Sequence, residues 1–199
     1  MGRIICLMGK SSTGKDTIYK RLLADPELAL RNIVPYTTRP IRDKEQDGVE
    51  YFFTDEAGYR RLQAQGKVIE ARAYETCYGL WRYFTVADER IDLSAADYCM
   101  IGTLEAYLSI RDYFGEAQVL PVLIELDDGE RLSRALTRER AQLHPKYEEM
   151  CRRFLADSRD FAPERIREAG IDRSFCNEEL EKCLEEIRTY IRQSGGDKS

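Results

Sequence analysis

Seven consecutive residues, Gly9-Lys10-Ser11-Ser12-Thr13-Gly14-Lys15, carry the strongest chemical signal in the sequence. Glycines at both ends let the backbone curl until successive N–H groups point inward, an arrangement that holds phosphate oxygens. Lys15 adds a point charge for the outer phosphates of a nucleotide, and a helix opening there adds its positive end. The pattern usually continues with Ser or Thr, whose hydroxyl ligates Mg²⁺, but here Asp16 follows, and then Thr17. Asp16 can reach the metal directly, hold it through water, or serve only as a first-turn acid suited to the helix dipole. Thr17 keeps a hydroxyl nearby on another side of the helix. A chance glycine-rich turn is the plain alternative. The surroundings oppose it, because the apolar run 3–8 reads as a buried strand and Ile18, Leu22 and Leu23 as a helix ended near Pro26.

A second anion site is suggested further on. Arg39 and Arg42 lie three apart, Glu45 three beyond, and Tyr51 downstream. Guanidinium forks bind phosphate bidentately, a phenol donates another hydrogen bond, and a carboxylate can hold the guanidinium groups in place. Taken alone, the two arginines read as solvated loop charges.

The whole segment resembles the guanylate kinase family, whose pattern is S-x-T-T-R-x-P-R-x-G-E-x-x-G-x-x-Y. Thr37, Thr38, Arg39, Arg42, Glu45, Gly48 and Tyr51 stand at matching spacing. The likeness continues through Gly66-Lys67-Val68-Ile69-Glu70 and Tyr78-Gly79, then Arg134, Arg138 and Arg153, and ends near Asn177-Glu178-Glu179-Leu180. It implies a kinase that binds ATP with Mg²⁺ through residues 9–17 and Asn177. The acceptor would be held by Arg39, Arg42, Glu45, Tyr51, Glu70 and Tyr78. The catalytic set would be Lys15, Arg39, Arg134, Arg138 and Arg153, the last three closing over the transferring group in a lid. The departures fall on the nucleobase side: Pro35, Leu80, Ile101 and Thr103 occupy positions where the family has polar groups, and of that set Glu70 survives. Phosphate recognition looks intact and guanine recognition eroded. Gly14-Lys15-Asp16 also resembles the ribose 1,5-bisphosphate phosphokinases, so a phosphosugar acceptor is the alternative. A non-catalytic guanylate-kinase-like binding module is a third reading, opposed by the intact phosphate loop.

These residues need a scaffold of strands alternating with helices. Apolar runs at 98–103 and 119–126 read as strands, and the patterns at 130–143, 146–160 and 178–191 as helices. The expected fold is α/β: a parallel central sheet flanked by helices, with an inserted mixed β subdomain and a helical lid. The expected single domain divides into a core (1–31, 85–127, 162–193), an acceptor-binding part (32–84, with strands at 48–53 and 67–70) and a lid (128–161). In the lid, Arg131, Arg140, Arg152 and Arg159 read as solvated, paired along the helix with Glu130, Glu139, Glu148 and Glu149. The only histidine, His144, stands beside Pro145 and reads as a helix break rather than a catalyst. The net charge of -5 argues against a nucleic-acid-gripping surface. Cys6, Cys99 and Cys176 sit in apolar runs that read as buried strands, and no Cys pair has metal or redox spacing. With no signal peptide or membrane span in the sequence, the expectation is a cytoplasmic protein with reduced thiols and a loose tail at 194–199.

Overall fold

The computed structural model describes residues 1–42, 45–76 and 79–195. Tyr78, expected at the acceptor phosphate, lies outside the described residues, as do Cys77 and positions 196–199 of the expected tail.

Strand β1 (Ile4–Met8) is apolar at every position and buried throughout, as suits a parallel strand covered on both faces. Its residues alternate between two cores. Ile4, Cys6 and Met8 pack with α3 (Leu104–Phe114), while Ile5 and Leu7 pack with α1 (Lys15–Leu23) and α7 (Leu180–Gln193). Among the described residues the main sheet runs β2 (Arg31–Asn32), β7 (Tyr98–Ile101), β1, β8 (Val119–Glu125), β9 (Ser174–Cys176), all in parallel. Residues 9–15 therefore emerge from the central strand at the carboxyl edge, where open α/β sheets bind ligands.

A second sheet stands beside it, in the order β4 (Phe52–Phe53), β3 (Tyr36–Thr37), β6 (Gly79–Val86), β5 (Val68–Thr76). The antiparallel β5–β6 register sets Glu70 opposite Thr85 and Arg72 opposite Tyr83, so all four share one face. Phe84 points the other way. It is fully buried between Tyr36 and Tyr59 of α2 (Glu56–Ala64), with ring centroids 5.4 and 4.9 Å away. Two helices of interest to the site, α4 (Asp128–Arg140) and α5 (Tyr147–Asp160), follow β8, and α6 (Pro163–Glu168) leads back to β9. Asp127 caps α4 by accepting the Gly129 and Glu130 N–H groups. The break between α4 and α5 contains His144 and Pro145, as the sequence predicts.

Several expectations are corrected. The 48–53 strand is reduced to Phe52–Phe53, because Gly48 (φ +81°) bends the chain and Val49 N–H closes a turn on the Gln46 carbonyl at 3.1 Å. Cys176 is exposed, since β9 is an edge strand from which only Phe175 turns inward. Arg131 and Glu139 are not on a solvated face: they are 1% and 2% exposed, on the α4 stripe that includes Ala135. Glu139 accepts the Lys146 N–H and Gln142 Nε2, so it fastens the interhelical turn.

Phe84 joins α2 to the sheet carrying Glu70. Phe84→Ala is expected to lower unfolding free energy by about 3–5 kcal/mol, read by urea titration.

Candidate active site

The loop after β1 is shaped by close backbone approaches. A Cβ on Gly9 would lie 2.3 Å from the Ile124 carbonyl oxygen, and one on Gly14 2.3 Å from Asn177 Nδ2. Both glycines hold positive φ, as does Ser12 at +67°. Thr13 is buried and its hydroxyl donates to the Lys10 carbonyl at 2.9 Å. Asn177 Nδ2 donates to the Thr13 carbonyl at 2.6 Å, bracing the loop from behind. Lys15 Nζ reaches the Lys10 carbonyl at 3.4 Å across the loop. Burial pushes the Lys15 ammonium below its ordinary value, against the pull of the Asp16 and Asp157 carboxylates. Asp16 and Thr17 are exposed in the first turn of α1.

Helices α4 and α5 close on this loop through charge. Arg131 Nε donates to the Ser11 carbonyl at 3.0 Å, and its guanidinium pairs with Asp128 and with Asp157 Oδ2, the latter at 3.1 Å. Asp157 Oδ2 also accepts the Ser11 N–H at 2.7 Å. A carboxylate of the protein thus occupies a loop amide of the type that binds phosphate oxygen. Lys10 Nζ lies 3.5 Å from Asp128. Of the three arginines the resemblance singles out, Arg138 reaches Ser12 Oγ at 3.3 Å and Arg134 the Asn177 carbonyl at 3.4 Å. Arg153 is exposed and 3.6 Å from Glu149, though it lines a narrow recess with Ser11, Ser12 and Arg138. Sequence reasoning missed Arg131 and Asp157. The signal for each was spacing: Arg131 shares a buried stripe with Ala135, and Asp157 a helix face with Phe154 and Phe161.

The second arginine site is built on β3. Thr37 Oγ1 donates to the Arg82 carbonyl at 2.8 Å and Thr38 Oγ1 accepts the Arg82 N–H at 2.9 Å, so the two threonines fasten the strand that presents Arg39. Arg39 is only 3% exposed. Its Nη1 and Nη2 donate to the two Glu45 oxygens at 2.7 and 2.5 Å, and its guanidinium lies 5.0 Å from the Tyr51 ring centroid. Arg42 is exposed, and its N–H donates to Glu45 at 3.0 Å. The Arg39 hydrogen bonds pull the Glu45 carboxyl from 4.5 to about 2.

One cleft of about 730 Å³ connects the two regions, with Gly9, Lys15 and Asp16 at one end and Tyr51, Glu70 and Tyr83 at the other. Glu70 is nearly buried, accepts the Thr85 hydroxyl at 2.8 Å and lies 3.3 Å from Arg72 Nε. Pro35, Ile101 and Thr103 line this cleft, and Thr103 serves as the α3 cap through the Ala106 N–H, whereas Leu80 is exposed on β6. Among the described residues no group of three His, Cys, Asp or Glu could hold a metal by itself. Asp16 does offer a hard oxygen beside the loop, which fits Mg²⁺ that takes its other ligands from phosphates and water.

Because the folded Glu45 value lies below the free one, the Arg39 pair contributes fully above about pH 4.5 and is lost as pH falls toward 2. Glu45→Gln is expected to flatten the pH dependence of unfolding free energy over that window, read by denaturant titration at a series of pH values.

Comparison with known proteins bears on both halves of the cleft. The family model described as guanylate kinase matches residues 1–84, which include the phosphate loop and the Arg39 site. The guanylate kinase of Porphyromonas gingivalis is 29% identical over 206 residues, covering 97% of this chain and 98% of that protein. The crystal structure of guanylate kinase from Anaplasma phagocytophilum superposes with a TM-score of 0.65 over 99% of this chain and 88% of that one, at 19% identity, which speaks for the fold alone. The guanylate kinase of Symbiobacterium thermophilum is 31% identical over 195 residues, 96% of this chain and 84% of that protein. With 31% identity to a guanylate kinase over 96% of the chain, and the family model matching residues 1–84, this protein belongs to the guanylate kinase family.

Proposed function

We propose that this protein transfers the γ-phosphoryl group of ATP to the 5′-phosphate of GMP or dGMP. The observation that carries the reading is the single cleft that has the Lys15 loop at one end and Tyr51, stacked under Arg39, at the other. Transfer between two phosphates needs both held in line and their charge neutralised, and little else. The acceptor phosphate is already ionised at pH 7, so no side-chain base is required.

In this reading the amides and side chains of residues 9–15, with Thr17 close by, cradle the ATP phosphates. Lys15 bridges the outer ones, and Asn177 holds the loop in shape through Thr13. Arg39 and Arg42, ordered by Glu45, take the acceptor phosphate with Tyr51 and Tyr78. Arg134, Arg138 and Arg153 neutralise charge at the transferring group as residues 128–161 close as a lid over a core of 1–31, 85–127 and 162–193 and an acceptor part of 32–84. Mg²⁺, held on the protein side by Asp16, supplies charge neutralisation at the nucleotide phosphates when bound. Glu70, with its carboxylate facing the cleft, takes the donor edge of the base. A phosphosugar such as ribose 1,5-bisphosphate is not favoured, since it gives Glu70 no base to read and the curated relatives are guanylate kinases. A non-catalytic module is opposed by Lys15 and both loop glycines being in place. Among the described residues no helix is long and apolar enough to cross a membrane. A cytoplasmic location suits the free thiols of Cys6, Cys99 and Cys183.

A steady-state panel with GMP, dGMP, AMP, UMP and IMP should show turnover centred on GMP and dGMP; no turnover of any nucleotide overturns the reading. Lys15→Ala should reduce kcat with GMP by about 10²–10³-fold. Asp157→Asn keeps an acceptor for the Ser11 N–H but removes the negative charge from the loop. Its KM for ATP should fall several-fold, and an unchanged or raised KM would place Asp157 outside the path of the ATP phosphates.

A further inference from the structure

A guanine base presents two adjacent donors, N1–H and N2–H₂, and two acceptors, O6 and N7. A carboxylate answers the donors only. Were no donor waiting for O6 and N7, binding would strip both of water without replacement, and such an unmade hydrogen bond is costly. The positions where the family places polar groups offer little here. Pro35 and Ile101 line the cleft without a side-chain donor, Leu80 is exposed and apolar, and Thr103, whose oxygen accepts the Ala106 N–H as the α3 cap, has a single O–H for two acceptors.

The cleft nonetheless holds a cation on the correct wall. Its lining cations are Lys15, Lys20 and Arg72, and the two lysines belong to α1, at the phosphate-loop side. Arg72 stands on β5 two residues from Glu70, so strand alternation aims both side chains at the same face. Arg72 Nε is buried and pairs with Glu70 Oε2 at 3.3 Å as an ion pair outside hydrogen-bond geometry, while the Arg72 side chain keeps 27% of its surface exposed, and among the described residues its guanidinium has no other ion-pair partner. Thr85 occupies the other Glu70 oxygen at 2.8 Å and fixes the carboxylate in place. The result is an acceptor group and a donor group side by side at the base end of the cleft.

We propose that Arg72 is a specificity-determining residue that donates to the O6/N7 edge of the acceptor base while Glu70 accepts from N1–H and N2–H₂. The inference rests on GMP being the acceptor. Arginine presents parallel donors whose spacing matches O6 and N7 of guanine, and adenine carries an amino group where O6 would be. This pairing supplies the polar recognition that Pro35, Leu80 and Ile101 do not offer, so guanine selection rests on a different residue.

The test compares kcat/KM for GMP, 6-thio-GMP and 7-deaza-GMP in the wild type and in Arg72→Ala and Arg72→Lys, with KM for ATP reporting that the nucleotide loop is intact. The wild type should prefer GMP over both analogues. Arg72→Ala should lose about ten- to a hundredfold in kcat/KM for GMP, mainly through KM, while its preference over the analogues collapses to less than about twofold. Arg72→Lys should recover part of that preference. An equal loss on all three acceptors would mean that Arg72 acts only by positioning Glu70, and no loss would remove it from the site; either overturns the proposal. Failure of the wild type to phosphorylate GMP would instead strike the acceptor assignment itself and take this inference with it.

Discussion

A guanidinium taken out of water must find counter-charge, and this structure is organised around two that have done so. Arg39 and Arg131 are 3% and 1% exposed, in a chain whose overall charge is negative. An unpaired buried charge is strongly destabilising, so each dictates the placement of neighbouring carboxylates. Glu45 answers Arg39 from the acceptor loop; Asp128 and Asp157 answer Arg131 from α4 and α5. The Arg39 pair holds the residues after β3, and the Arg131 cluster joins α4 and α5 to one another and to Ser11 of the loop after β1.

The same constraint creates a tension that function has to use. Amides and cations that converge on one point are stabilised by an anion placed between them. Here the protein supplies the anion. Asp157 sits on the Ser11 N–H and beside Arg131, and Glu45 chelates Arg39 in the bidentate manner of a phosphate. In the proposed reading these carboxylates hold the groups in position, which lowers the ordering cost of binding a phosphate. Lys15, whose ammonium is disfavoured by burial, gains from any phosphate that enters.

Three strands of the main sheet were legible because an apolar run at the centre of a sheet leaves a clear mark, as at Ile4–Met8 and Val119–Glu125, whereas their order across the sheet depends on contacts distant in sequence. The glycine turn after β1 was legible because Gly9 and Gly14 answer to backbone conformation, which local sequence reports. What local sequence does not report is which of several arginines on one helix turns inward. Arg131 looked like Arg140, and only the packing of α4 against the loop separates them. Gly48 was visible as a motif residue, but its turn shortened a strand that β propensity alone extends. The role of Arg72 was hidden for a similar reason. The sequence places a strand only at 67–70, and Arg72 shares a face with Glu70 only because β5 runs on to Thr76.

In the proposed reading the Arg39 cradle recognises a phosphate on the acceptor, which makes the cleft a place where two phosphates meet. Calorimetric binding of GMP and of guanosine to the wild type and to Arg39→Met tests it without relying on turnover. The wild type should bind GMP far more tightly than guanosine, and Arg39→Met should lose most of that difference while guanosine binding stays unchanged. An equal preference for GMP in both proteins would show that the phosphate is held elsewhere and would contradict the account.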